Sequence, residues 1–305
     1  MISADEVRAA HRRIAGRIRR TPVLQTGQVV FKLEYLQHAG SFKTRGMLNQ
    51  ILAGAERGAL PEAGIVAASG GNAGLAAAYA ARELGVPAEV YVPLTAPPVK
   101  VAKLSKLGAR VVQFGSEYAE AYEAAVAQAE VTDALFCHAY DDADMVAGNG
   151  TLALELLEQL PDGFDTVLVA VGGGGLVAGV AAALAPRVRV VAVEPVGCAS
   201  LHAALAAGAP VDVPVSGVAA DSLGARRVGA IAYEMAVSTS MRSVLVDEQA
   251  IVDARRQLWD DYRIVVEHGT AAAQAALVSG AYVPAEGERV VVLLCGANTN
   301  PADLA

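Results

Sequence analysis

Thr-Val-Leu-Val-Ala-Val-Gly-Gly-Gly-Gly-Leu-Val-Ala-Gly-Val-Ala-Ala-Ala-Leu-Ala-Pro, residues 166–186, carries no charge and has the length of a membrane span, about twenty residues. Gly172, Gly173, Gly174 and Gly175 argue against a span, because each would cost a helix about 1 kcal/mol. A strand over 166–171, a glycine turn and a helix over 176–184 explain the same residues. Successive amides of the four glycines then form a nest for a phosphate at a helix N-terminus. The loop departs from the G-x-G-x-x-G dinucleotide pattern, since Leu176 and Val177 are followed by Ala178 and Gly179, and it lacks the lysine and Ser/Thr of a P-loop. A phosphate held by amides alone fits a cofactor better than a nucleoside triphosphate.

Outward from this unit, the chain alternates from residue 64 between β-rich and alanine-rich runs, the pattern of parallel strands joined by crossover helices. Strands are expected at 64–68, 89–93, 109–114 and 134–138, with helices near 73–84, 98–107 and 118–130. A second series comprises a helix at 148–160, the unit at 166–184, a strand at 188–193, a helix at 199–207 and a strand at 289–295. The fold class is α/β and two-lobed, each lobe a mainly parallel twisted sheet flanked by helices, with the ligand cleft between them. The polar, glycine-containing stretch 139–150 is the expected crossing. A small domain, 41–144, is thereby inserted in a large phosphate-binding domain made of 1–40 and 145–305.

With 54% apolar residues the chain can bury a large core, and a net charge of -8 with a pI near 5.2 gives no footprint for nucleic acid. Cys137, Cys198 and Cys295 are odd in number, far apart and in no metal-ligand spacing, which suits free thiols in a reducing cytoplasm. The basic N-terminus, with Arg12, Arg13, Arg17, Arg19 and Arg20, has no apolar run behind it. It reads as a surface helix with Val7, Ile14 and Ile18 near one face, so neither a secretory signal nor a membrane partner is expected.

Residues 31–46, Phe-Lys-Leu-Glu-Tyr-Leu-Gln-His-Ala-Gly-Ser-Phe-Lys-Thr-Arg-Gly, put Lys43 at a strand-to-helix junction. Gly40 and Ser41 read as breaker and N-cap, and a helix opens at Thr44. Beside Phe42 and the positive end of a helix, the Lys43 amine loses solvent and meets unfavourable potential, which lowers its pKa and suits a Schiff base. Lys32, Lys100, Lys103 and Lys106 read as solvated surface groups. At 68–74, Ala-Ser-Gly-Gly-Asn-Ala-Gly forms a second strand-to-helix turn. There Ser69, Asn72 and the amides of Gly70 and Gly71 can take a carboxylate, or Asn72 can simply cap the helix. Cys295, ending an apolar strand, reads alone as a small buried hydrophobe.

Taken together, Lys-Leu-Glu…Gly-Ser-Phe-Lys-Thr-Arg-Gly at 32–46, Ser-Gly-Gly-Asn at 69–72, the glycines at 172–175 and Cys-Gly-Ala-Asn at 295–298 resemble the pyridoxal-phosphate enzymes of the tryptophan-synthase-β fold. Within these fold type II enzymes the chain looks most like the L-serine/L-threonine dehydratases, and the resemblance covers nearly its whole length. It implies that Lys43 holds pyridoxal 5'-phosphate as a Schiff base and takes the substrate α-proton. Phe42 would pack on the ring and Asn72 would bond its 3-hydroxyl. Ser69, the second implied catalytic residue, would hold the substrate carboxylate with Gly70, Gly71 and Asn72. Gly172, Gly173, Gly174 and Gly175 would take the phosphate, and Cys295 would lie beside the pyridine nitrogen. A neutral thiol there makes a weak electron sink, which favours loss of a β-hydroxyl. The products would be ammonium with pyruvate from serine or 2-oxobutanoate from threonine.

Departures from the pattern carry information too. Gly70 stands where serine racemases of this family have an acid/base serine, which disfavours racemisation. Ala73 replaces the histidine of the same motif, as in liver-type serine dehydratases. Glu194 with the carbonyls of Cys198, Leu223 and Ala225 occupies places where related enzymes bind a cation. Ser200 replaces the acid of the divalent version, so a monovalent cation or none is expected, and Glu194 reads equally as a solvated strand-end carboxylate. The expected partner is a small amino acid whose side chain meets Tyr118, Leu223 or Arg226. A homodimer is expected, without the regulatory domain of biosynthetic threonine dehydratases. Alternatives are elimination from another β-substituted amino acid, such as a 3-hydroxyaspartate or a diaminopropionate, an amino-acid racemase, and a non-catalytic binder of cofactor or amino acid. A nicotinamide-dependent dehydrogenase, with Glu194 about twenty residues past the glycine loop, is a further one.

Overall fold

The computed structural model describes residues 1–304. Along the chain run α1 (Ala4–Ile14), β1 (Val23–Thr26), β2 (Val29–Lys32), α2 (Lys43–Glu56), β3 (Ile65–Ala68), α3 (Asn72–Leu84), β4 (Ala88–Val92), α4 (Pro98–Lys106), β5 (Arg110–Gln113), α5 (Tyr118–Thr132), β6 (Leu135–Phe136) and α6 (Ala143–Gln159). There follow β7 (Thr166–Ala170), α7 (Gly175–Leu184), β8 (Arg189–Pro195), α8 (Ser200–Ala207), α9 (Ala220–Leu223), α10 (Ala230–Ser238), β9 (Arg242–Val246), α11 (Glu248–Tyr262), α12 (His268–Val278) and β10 (Val290–Leu293).

The strands form a 6-stranded sheet, ordered β1-β2-β10-β7-β8-β9, and a 4-stranded sheet, ordered β5-β4-β3-β6. Every pairing is parallel except that of β1 with β2. β7 and β10 are buried along their whole length, as central parallel strands covered on both faces must be. Alternation sends Val167 and Val169 into one core with α1, α6, α7 and α10, and Leu168 and Ala170 into another with α11 and α12. The α/β class expected from the sequence is the one observed. The run at 166–186 is strand, turn and helix, and among the described residues no helix is long and apolar enough to cross a membrane.

The stretch 139–150 departs from expectation. It crosses between the sheets only as far as Asp142, whose carboxylate accepts from the Met145 amide (2.8 Å) and starts α6. Gly148 and Gly150 lie inside that helix, where an added Cβ would come within 2.7 Å of the Arg45 carbonyl oxygen and 2.4 Å of that of Gly179. These glycines serve close helix crossing, not chain flexibility.

Lys32 is a second correction. Instead of reaching solvent it is 0% exposed, and its amine donates to the Glu155 carboxylate (2.7 Å), the Thr21 carbonyl (2.7 Å) and Gln159 (2.9 Å). Arg45, also fully buried, donates to Glu34 (2.6 and 3.0 Å) and to Glu155 (2.7 Å). A lysine in a turn reads as solvated only while its partner, 123 residues away on α6, is out of view. In Glu155→Ala two buried cations lose their shared partner, and unfolding in urea is expected to show a loss of about 3–5 kcal/mol.

Candidate active site

β2 ends at Lys32, and the chain reaches α2 through two short 3-10 turns, Glu34–Leu36 and His38–Gly40. This connection is laced to the segment after β10. Leu294 N–H donates to the Lys32 carbonyl (3.0 Å), Tyr35 N–H to that of Leu294 (2.8 Å), Phe42 N–H to that of Cys295 (2.9 Å), and Ala297 N–H to that of Gly40 (3.0 Å). Lys43 and Cys295 are thus brought together by backbone pairing. The helix opens at Lys43 itself, one residue earlier than expected, with Phe42 in the capping position. Ser41 does not cap it; its hydroxyl is buried with no partner among the described residues.

The Lys43 amine donates to the Ala139 carbonyl and stands 5.0 Å from the centre of the Phe42 ring. Burial lowers its pKa to about 8, against the opposing influence of Cys295. The Cys295 thiol is pushed up to about 12, chiefly by burial and then by Glu267, and lies 3.2 Å from the Thr270 hydroxyl. It is neutral across the working range of pH.

At the second turn, the Ser69 hydroxyl accepts from the Gly71 amide (3.1 Å), and α3 opens at Asn72 with no side-chain cap. Asn72 is therefore not spent on capping. Its Nδ2 donates to Glu267 (2.7 Å) and its Oδ1 accepts from Asn298 Nδ2 (2.7 Å). With one N–H used, the amide has a second N–H and a second oxygen lone pair left to offer. Glu267, at the start of α12, is buried, and burial raises its pKa to about 7. Sequence reasoning missed it, because a glutamate before a helix carries no local sign of its partner 195 residues away. A crevice of about 30 Å³ lies here, lined by Gly70, Gly71, Asn72, Glu267, Asn298, Asp221, Ser222 and Lys100 among others. Lys100 and Lys103, expected on the open surface, line it as well. A separate cavity of about 910 Å³ lies away from all these residues, between Met1–Ser3, the end of α7 and Met235–Arg242.

The glycine turn packs tightly. A Cβ on Gly172 would meet Leu223 Cα at 2.9 Å, one on Gly173 the Tyr140 ring at 2.3 Å, and one on Gly175 the Tyr140 carbonyl oxygen at 2.5 Å. Gly174 has φ +88°, a left-handed conformation that disfavours any side chain. No side chain caps α7 behind it, so its first amides have no side-chain acceptor. Tyr140 was another unexpected neighbour.

Glu194 is fully buried rather than solvated. Its carboxylate accepts from the amides of Leu201 (2.8 Å) and His202 (2.8 Å) and from the Ser243 hydroxyl (2.9 Å), which ties it to the start of α8. Burial raises its pKa to about 7. Cys198 is buried nearby, and the Leu223 carbonyl accepts from the Ala225 amide (2.8 Å). Among the described residues no three His, Cys, Asp or Glu side chains gather to hold a metal. Of the expected pocket wall, Tyr118 donates to the Ala68 carbonyl (3.3 Å) beside Ser69 and Leu223 abuts Gly172, whereas Arg226 is exposed.

Fold and site together define two mainly parallel sheets flanked by helices, with a buried lysine amine of lowered pKa at the strand-to-helix junction after β2. The chain belongs to the pyridoxal-phosphate dependent enzymes: the family model so described matches residues 14–296. It is similar to an L-threonine ammonia-lyase of Thermotoga maritima, 35% identical, with 98% of this chain and 76% of that protein covered. It is 38% identical to a phenylserine dehydratase of Ralstonia pickettii, covering 91% of this chain and 85% of that one. The solved structure of maize serine racemase superposes with a TM-score of 0.91 at 30% identity, covering 99% of this chain and 95% of that one.

Folding raises the Glu267 pKa from 4.5 to about 7, so the folded chain holds an extra proton between those values. This contribution to stability is complete below the unfolded value and is lost as the pH rises through the folded one. Urea unfolding of Glu267→Gln is expected to lack about 2 kcal/mol of the fall in stability that wild type shows between about pH 5 and pH 8. An identical pH dependence in the two proteins would mean that the carboxylate titrates normally.

Proposed function

We propose that the protein removes the β-hydroxyl and the amino group of β-hydroxy-α-amino acids, with L-threonine giving 2-oxobutanoate, L-serine giving pyruvate, and ammonium released from either. The residues present fit pyridoxal phosphate. Gly172, Gly173, Gly174 and Gly175 leave a turn with no room for side chains ahead of an uncapped helix, which suits a phosphate, and Lys43 supplies an amine with a lowered pKa. When bound, the cofactor supplies a conjugated ring for charge developing at Cα, and beside a neutral thiol that ring is a weak sink, so loss of a β-substituent relieves the charge fastest.

Lys43 would hold the cofactor ring and supply the base for the α-proton, a task its pKa of about 8 suits near neutral pH. Phe42 would pack on the ring. Asn72, held by Glu267 and Asn298, keeps one N–H free, which would donate to the ring's 3-oxygen. The Ser69 hydroxyl and the amides of Gly70, Gly71 and Asn72, at the positive end of α3, bind the substrate carboxylate. In balance, the Cα–H bond breaks with its proton going to Lys43, and the Cβ–O bond breaks with the departing hydroxide taking up one proton, equal in number to the one Lys43 receives, to leave as water. Hydrolysis of the released enamine consumes that water and frees ammonium.

The observation that carries elimination is the buried, neutral Cys295 thiol where a carboxylate would make a deeper sink. Racemisation needs a second acid/base on the far face of Cα, and Gly70 offers none. A Cβ at Gly70 would lie 3.5 Å from Val92 Cγ1, so a serine fits. Purified protein with pyridoxal phosphate is expected to absorb in the visible and to release 2-oxo acid from L-threonine or L-serine. Lys43→Ala should lose the borohydride-reducible cofactor linkage and at least roughly 10²- to 10⁴-fold of the activity. Gly70→Ser should add formation of the D-isomer. A protein that never takes up pyridoxal phosphate would sink the reading.

A further inference from the structure

An aromatic wall joins the two anion-binding turns. At one end Tyr118, 51% exposed, donates its hydroxyl to the Ala68 carbonyl at the root of the Ser69 turn. At the other the Tyr140 ring closes on Gly173. Between them stand Tyr122, Phe136 and His138, with ring centroids 6.1 Å apart for Tyr118–Tyr122, 5.5 Å for Tyr122–Phe136, 6.1 Å for Tyr122–His138 and 4.9 Å for His138–Tyr140. The Lys43 amine meets this wall at the Ala139 carbonyl, between His138 and Tyr140. All five rings are partly exposed. At the same glycine turn, the Leu223 backbone crowds Gly172.

The polar atoms of the wall are largely engaged. Tyr140 donates to the Arg227 carbonyl (3.4 Å), and His138 Nδ1 accepts from the amides of Tyr140 (3.2 Å) and Asp141 (2.8 Å). The Asp141 carboxylate is tied to the amides of Ala230 and Ile231, both at 3.0 Å. What the wall offers a substrate is ring faces and edges in steep arrangement, 88° for Tyr122–Phe136 and 81° for His138–Tyr140. Such an array extends readily to one more ring and holds no charged side chain to pair with a second ammonium or carboxylate.

We infer that this wall receives the β-substituent, and that the preferred substrates are 3-aryl-serines rather than serine or amino acids with a charged β-group. This rests on the elimination reading above, and turnover of 3-phenylserine by that chemistry gives phenylpyruvate and ammonium with no further reactant. An aromatic substituent moved from water onto such a surface is expected to raise kcat/KM for L-threo-3-phenylserine above that for L-serine by about ten- to a hundredfold.

Two measurements on the holoenzyme test the inference. The first compares kcat/KM for 3-phenylserine and serine in wild type, Tyr118→Ala and Tyr118→Phe. The ratio should fall about tenfold in the alanine variant and be retained in the phenylalanine variant. The second compares Kd for L-phenylalanine and L-alanine, which have no leaving group, by the change in cofactor absorbance; phenylalanine should bind at least about tenfold more tightly. Tight phenylalanine binding without oxo acid from any hydroxy amino acid would keep the aromatic pocket and sink the elimination reading. Turnover of serine or threonine with no preference for the aryl substrate, and alanine binding as tightly as phenylalanine, would keep elimination and overturn the inference. A protein that neither binds nor converts any of these overturns both.

Discussion

The ion network of Arg45, Glu34, Glu155 and Lys32 is the constraint from which the site's geometry follows. Two cations and two carboxylates, all at most 3% exposed, neutralise one another where none would be tolerated alone. Its members come from the end of β2, the turn after it, α2 and α6, so satisfying the charges sets the position of α2 against both. Packed apolar residues could hold these elements as firmly, but they would leave the rotation of α2 less defined, since dispersion has no direction and a guanidinium fork does. Lys43 lies two residues before Arg45 on the same helix. Its placement at Ala139 is inherited from a network that never touches the cleft.

Matching the strong charges away from the cleft leaves weak ones inside it. Lys43, with a pKa near 8, and Glu267, near 7, can each change state close to neutrality, and Cys295 is a neutral thiol. Burial is the first cause in all three. In the same low dielectric a hydrogen bond has more orienting force, which is why Glu267 and Asn298 can hold Asn72 in a single amide orientation. The outcome is a site whose polarity is set by a few directional bonds.

What was legible in the sequence divides along physical lines. The four glycines, the Ser69 turn and Lys43 could be read because each answers a local demand: a positive φ at Gly174, an amide approach ahead of a helix, a junction between strand and helix. Lys32, Glu267 and Tyr140 could not, since what gives each its role lies far along the chain, as Glu155 does 123 residues from Lys32. Residues 139–150 show that one composition can serve two ends. Glycines among polar residues suggest a crossing between lobes, yet at Gly148 and Gly150 the missing Cβ admits a neighbouring helix backbone.

The same division separates the chemistry of the site from its selectivity. Both anion-binding turns follow parallel strands, β3 and β7, and both open onto helices without side-chain caps. Under the proposed function, backbone amides and helix ends would recognise the groups that every amino acid and the cofactor share. Backbone recognition requires only that side chains stay out of the way, which glycine guarantees and a sequence displays. On the inferred substrate wall, the β-substituent, the part by which substrates differ, would meet side chains drawn from α5, β6 and the loop ahead of α6. That surface exists only after the four-stranded sheet has formed and Tyr140 has closed on Gly173, so its character belongs to packing and not to any motif. A sequence in this fold thus announces its cofactor well before it discloses its substrate.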